Sequence, residues 1–167
     1  MKKPMSKQRL STALVAASLA VMAGCTMMNN MMGRDKEEEH GGARAGAAAM
    51  GRMEAITLSG ANEVPAVATS AAGTGSVTVG RDRSVKARIT VTGMSATASH
   101  IHQGAAGSNG PVIVPFTKSG DNTFVAPDDA KMTEAQYEAW KAGNTYVNVH
   151  SDKNKGGEIR AQLKGDK

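Results

Sequence analysis

The chain has 167 residues, enough for one domain plus extras. Its formal charge of +5 is a local feature, because Lys2, Lys3, Lys7 and Arg9 precede residue 25 with no acidic residue among them, and removing them leaves 16 basic against 15 acidic residues, a net charge of +1. That remainder has no basic face with aromatic or arginine clusters, which sets nucleic acid aside as a partner, and its few aromatics (Phe116, Phe124, Tyr137, Trp140, Tyr146) leave the core to Val, Ile, Leu and Ala.

In chain order, Lys2 to Arg9 form a positive segment and Leu10 to Met22 an apolar one of 13 residues. That length is short of the about 20 residues a permanent membrane helix needs and fits a cleaved targeting segment, so residues 1–24 are expected to be a signal peptide. Residues 25–53 read as a flexible tether. Met27, Met28, Met31 and Met32 are followed by the charge run Asp35 to Glu39, then His40 and a Gly/Ala stretch, with no period that would bury apolar surface. Clustered thioethers are soft ligands that suit Cu(I), but a solvated linker is the simpler reading of such composition.

From Glu54 to Lys167 the pattern becomes short alternating runs between turn residues. Ala55 to Leu58 leads into the turn-like Gly60-Ala61-Asn62-Glu63-Val64-Pro65, and Gly75 to Val79 alternates cleanly. Val85, Ala87, Ile89 and Val91 alternate with Ser84, Lys86, Arg88 and Thr90, with a hairpin loop from Gly80 to Arg83 before them. Further strands are expected at His100 to His102, Val112 to Val114, Asn122 to Val125, Tyr146 to His150 and Glu158 to Leu163. One helix interrupts, capped by Thr133, completed as a capping box by Gln136 and ended by Gly143. About eight short strands with this turn spacing predict an all-β sandwich or barrel with one short helix.

Two strands carry the chemistry. Side chains alternate faces along a strand, so His100 and His102 project together with Ile101 opposed, and His150 shares a face with Asn148 and Tyr146 while Val147 and Val149 take the other. If the strands lie near each other, His100, His102 and His150 can converge as a transition-metal site, copper before zinc, since imidazole suits both. The same three rings can equally be ordinary hydrogen-bonding residues that donate to backbone carbonyls. Asn148 serves either reading, as a partner behind the ligands or as a strand pin. Glu158 and Arg160 are expected to form a solvated edge pair. The loop Gln103 to Pro111, with Gly104, Gly107 and Gly110, reads as a turn that needs positive φ. No Gly-x-Ser-x-Gly elbow is present, and Asp128-Asp129 sit in a predicted loop ahead of the helix, so no catalytic residue is assigned.

Three resemblances add to this. Met22-Ala23-Gly24-Cys25 resembles the lipobox of bacterial lipoproteins, with Met22 in place of the usual leucine. It implies that Cys25, the single cysteine, is the lipidated first residue of the mature chain, and Thr26 behind it implies an outer-membrane location, periplasmic or surface-facing. Leu58 to Pro65, Ser99-His100-Ile101-His102-Gln103-Gly104, Gly107 to Val112, Tyr146 to His150 and Gly156 to Leu163 resemble, in order, the motifs of the CHRD domain. That likeness implies a Greek-key β-sandwich or barrel of immunoglobulin- or superoxide-dismutase-like architecture over about residues 55 to 165. The His-x-His pair with a later histidine and a strand bearing arginine is also similar to the copper half of copper/zinc superoxide dismutase. It implies His100, His102 and His150 as copper ligands and Arg160 near the open position, attracting a small anion. A fourth copper ligand, zinc ligands and the disulfide of that enzyme have no counterpart here. The expected function is therefore an envelope-anchored binding module with a three-histidine metal site. A protein- or glycan-binding module without metal and a copper redox enzyme are the alternatives.

Overall fold

The computed structural model describes residues 51–166; the expected signal segment and residues 25–50 of the expected tether, with Cys25 and His40, lie outside them. Nine antiparallel strands and one α-helix make up the domain: β1 (Arg52–Ser59), β2 (Ala72–Val79), β3 (Val85–Thr92), β4 (Ala96–Gln103), β5 (Val112–Pro115), β6 (Thr117–Gly120), β7 (Thr123–Val125), α1 (Glu134–Lys141), β8 (Thr145–Ser151) and β9 (Ile159–Leu163). The spatial order is β5-β4-β8-β9-β1-β2-β3-β7-β6. β5 and β6 are the two ends of that order, yet only Phe116 separates them in sequence, so the sheet must curl until its edges meet. The Phe116 N–H donates to the Ser99 carbonyl on β4 at 3.0 Å and Lys118 Nζ to the Ala96 carbonyl at 3.2 Å, which ties the closure. A sheet rolled in this way leaves no long free edge for another chain to extend.

Alternation places the core. Ile56 and Leu58 of β1, Val77 and Val79 of β2, Val85, Ile89 and Val91 of β3, Ile101 of β4, Phe124 of β7, Val147 and Val149 of β8 and Ile159 and Leu163 of β9 point inward and are buried. Each such aliphatic residue contributes about 1.5–3 kcal/mol of transfer free energy, offset by chain entropy. α1 begins with the expected reciprocal cap: the Gln136 N–H donates to Thr133 Oγ1, and the Thr133 N–H to Gln136 Oε1. It ends at Gly143 with φ +75°, and Trp140 is buried against the barrel with its ring stacked on Tyr137 at 5.4 Å.

Differences from expectation are local. β1 starts at Arg52 rather than at Ala55 because it pairs with β2 along its whole length, Arg52 against Val79 to Ser59 against Ala72. β6 is a ninth strand that periodicity could not reveal, since all four of its residues are exposed. The β2–β3 loop closes on Arg83 at φ 72°, held by Asp82 Oδ1, which accepts from both the backbone N–H and the hydroxyl of Ser84. β1 and β9 pair only at Ser59 and Arg160. At the far end of that seam the Glu54 carboxylate spans the gap by accepting the backbone N–H groups of Lys164 and Gly165 at 2.7 and 3.0 Å.

Candidate metal centre

β8 lies between β4 and β9, and the register aligns one outward row across all three strands. His100 stands opposite Asn148, which stands opposite Arg160; His102 stands opposite Tyr146, which stands opposite Gln162. His150 is opposite Ala98, so its ring meets His100 diagonally across the strand pair. One ligand-capable nitrogen from each of His100, His102 and His150 lies within 4.8 Å of the other two. His100 Nδ1 and His150 Nε2 are 3.1 Å apart, a separation that two nitrogens on one ion at about 2.0–2.1 Å adopt at an angle of about 100°. Two ligands on such an ion are at most about 4.2 Å apart and about 3.4 Å apart in tetrahedral geometry, so the widest pair has to close by about 0.6–1.4 Å, a motion within reach of side-chain rotation.

Hydrogen bonding fixes which nitrogens are free. His102 Nδ1 donates to the Gly110 carbonyl and His150 Nδ1 to the Lys155 carbonyl, each at 2.9 Å. With those protons placed, both Nε2 atoms carry lone pairs, and backbone carbonyls behind the rings orient them as they orient metal-bound imidazoles. His150 Nε2 then accepts from His100 Nδ1–H; moving that one proton to His100 Nε2 frees Nδ1 to ligate. His102 Nε2 is buried and has no partner. Burial, with the neighbouring imidazoles adding to it, pushes His100 down to about 4, and burial likewise lowers His102 and His150. The rings are therefore neutral at physiological pH, the form a metal requires. Of the alternatives open in the sequence, ordinary hydrogen bonding accounts for Nδ1 of two rings, which donate to main-chain carbonyls, and leaves His102 Nε2 without a partner.

Arg160 corrects two expectations. It is 1% exposed, and its guanidinium donates to Asn109 Oδ1, the Ser108 and Ala105 carbonyls and Gln162 Oε1 at 2.9–3.3 Å. Its carbon lies 3.3 Å from the centre of the Tyr146 ring, which is itself stacked on His102 at 4.9 Å and 8° between planes. Arg160 is thus a clamp on the loop 104–110 and not a free cation waiting for an anion. Nor does it form a solvated edge with Glu158, which is also buried and instead accepts from Thr69 Oγ1 at 2.7 Å and from Ser151 Oγ. Those hydrogen bonds hold the Glu158 carboxyl below its usual range. In the loop only Gly107 takes positive φ, +78°. Gly110 is needed for another reason, since a Cβ there would run into the Gln103 carbonyl. Sequence reasoning passed over Glu63, read only as part of a turn, although it is buried close to Asn148 and Arg160 with Oε1 lacking a partner.

The CHRD domain family model matches residues 55–163. The chain belongs to the CHRD family. No curated protein and no solved structure matches it. The match spans β1 to β9, so the CHRD domain is the barrel itself, and the three histidines lie on two of its central strands. A CHRD domain is consistent with a binding module, and here the one cluster of metal-ligating side chains among the described residues is the His100–His102–His150 face.

Proposed function

We propose that this CHRD protein is an envelope-anchored metal-binding module that takes copper first and zinc second through His100, His102 and His150. The observation that carries the reading is the pair of Nε2 lone pairs, on His102 and His150, aimed into one cluster by carbonyls behind their rings, with His100 Nδ1 beside them. Three neutral imidazoles suit borderline divalent ions, and copper(II) outranks zinc(II) on any such donor set. A three-protein-ligand site leaves a further position to an exchangeable ligand. Titration of the purified chain with Cu(II) and Zn(II) tests this. One equivalent of Cu(II) is expected to bind, more tightly than Zn(II), and the His100→Ala/His102→Ala double variant to lose more than about 100-fold in affinity, beyond the range expected for loss of a supporting group alone. Equal affinity in parent and variant rules the site out.

The anchored part of the reading rests on Met22-Ala23-Gly24-Cys25 and places the lipid on Cys25, with an outer-membrane home. Two acyl chains would hold the protein to a bilayer far more firmly than one. Expression of the full chain with a labelled fatty acid is expected to give a labelled, membrane-sedimenting product. Cys25→Ala is expected to remove both properties; label and sedimentation retained by that variant would exclude the anchor.

A further inference from the structure

Asn148 occupies the middle of the outward row, 1% exposed, with His100 directly opposite on one side and Arg160 on the other. Its Oδ1 has no hydrogen-bond partner, and neither do His102 Nε2 or Glu63 Oε1. Among the described residues five buried side-chain atoms are left in this state, and three of them belong to residues grouped here. The two ends of the amide differ. Nδ2 lies 3.5 Å from the Gly156 carbonyl and on the side of Glu63, where Gly157 makes room: a Cβ at Gly157 would come within 2.5 Å of Glu63 Oε1 and 2.6 Å of Asn148 Nδ2. A donor end held beside a carboxylate leaves the acceptor end for the other side. On that side His100 stands directly opposite across the strand pair and His102 two residues along, and the His102 proton already sits on Nδ1, bonded to Gly110. Asn148 Oδ1 and His102 Nε2 are two buried acceptors on this one face, and neither has a protein donor. A metal satisfies the nitrogen and leaves the amide oxygen still in need of an O–H or N–H.

We propose that Asn148 Oδ1 accepts a hydrogen bond from the exchangeable ligand on the bound ion, and that the site therefore takes water or another neutral ligand bearing an O–H or N–H in preference to a bare anion. The inference rests on the metal-binding reading above and adds the class of its fourth ligand. Coordination sharpens the O–H groups of a bound water as donors, so an unpaired carbonyl oxygen is the matching group. Glu63 acts as a positioning residue: its carboxylate lies on the Nδ2 side of the amide without bonding to it, and its charge favours the donor end facing that side and Oδ1 facing away. An anion meets a guanidinium whose two Nη atoms already donate to four loop and strand oxygens.

The test uses the full chain loaded with one equivalent of Cu(II). In water enriched in oxygen-17 the copper resonance is expected to broaden, and azide to bind weakly. Asn148→Leu is expected to keep one copper per chain, to lose the broadening, and to bind azide about tenfold more tightly, the effect of losing one strong hydrogen bond to the competing water. Glu63→Gln keeps the shape and removes the charge, and is expected to shift azide binding the same way by about threefold, which a merely structural role would not do. Should Asn148→Leu fail to fold, the broadening in the parent and the azide shift in Glu63→Gln still decide. Copper bound one to one without oxygen-17 broadening, or azide affinity unchanged in the variants, overturns this inference alone. Absence of copper uptake by the parent overturns the metal site with it.

Discussion

The outward face of β4, β8 and β9 carries two buried polar groups of opposite character a few ångströms apart. Around Arg160 the acceptors are supplied by the protein: Asn109, Ser108, Ala105 and Gln162 meet the two Nη atoms, and Tyr146 covers the face of the guanidinium. Gln162 is equally engaged, donating to the Gly104 and Gly143 carbonyls at 2.9 Å each. Around His102 and Asn148 the acceptors Nε2 and Oδ1 are buried and unpaired. Buried polar groups are rarely left so, because desolvation is costly without a partner. A barrel that can complete the first network next to the second is not short of donors. The contrast separates the two groups: the Arg160 network holds the loop 104–110 down, and the histidine face keeps buried acceptors that no protein donor meets.

The largest expected effect breaks the closed half. Arg160→Ala deletes charge-assisted hydrogen bonds worth about 1.5–3 kcal/mol each when intact and leaves buried carbonyls unpaired. Such losses are not additive, and a net destabilisation of about 3 kcal/mol is expected, read as a lower denaturant midpoint with an unchanged slope. Copper uptake should weaken but persist in the fraction that remains folded, since the clamped loop supplies the Gly110 carbonyl behind His102 but none of the three ligands. A comparable shift of the opposite sign sharpens the open half. Free Cu(II) at a hundredfold excess over Kd stabilises a folded state that alone binds it by about 2.7 kcal/mol, so the thermal midpoint of the parent should rise by several degrees. The His100→Ala/His102→Ala variant should show no rise; equal rises in both proteins would place the copper elsewhere.

How much of this was written in the sequence follows from what kind of signal each part needs. Strand alternation in Val85 to Val91 and the Thr133–Gln136 cap are local signals and located β3 and α1 directly. The period-two reading of His100, His102 and His150 was correct about faces, and the meeting of the three rings follows from β4 and β8 being neighbours, which only topology decides. What alternation could not convey is that the outward face is itself covered. The solvated edge expected of Glu158 and Arg160 fails for this reason, and Tyr146 and Asn148 beside them are buried too, because the loop 104–110 and the residues around Glu63 lie over this face. The fate of Arg160 shows the same limit, since its partners lie more than 50 residues away in a loop whose fold depends on Gly107 and Gly110. Glu63 could have been found only by asking why a carboxylate stands in an otherwise uncharged turn between Gly60 and Pro65.

Acid sets the two halves against each other most gently, and the sign decides the test. His100, His102 and His150 are depressed in the folded chain, His100 to about 4, against about 6.5 when unfolded. Above pH 6.5 neither state binds these protons and the rings contribute nothing to the pH dependence. As pH falls through 6.5 the unfolded chain takes up protons that the folded one refuses, so stability declines, and for His100 the decline continues until pH reaches about 4. Glu63 works the other way, because burial raises its carboxyl and the folded state accepts that proton first. Glu158, held low by Ser151, loses its contribution only at more acid pH, below the ordinary carboxylate range. Metal-free parent should therefore lose stability between pH 6.5 and 4.5, measured by denaturant unfolding at each pH. The His100→Ala/His102→Ala variant should lose less over the same interval, while Arg160→Ala should start lower and keep most of the parent's slope, since the Arg160 charge is the smallest of the causes that lower His102. Parallel curves for the parent and the double histidine variant would mean that the rings are solvated in the folded chain, and the contrast between an open and a closed half of this face would fail.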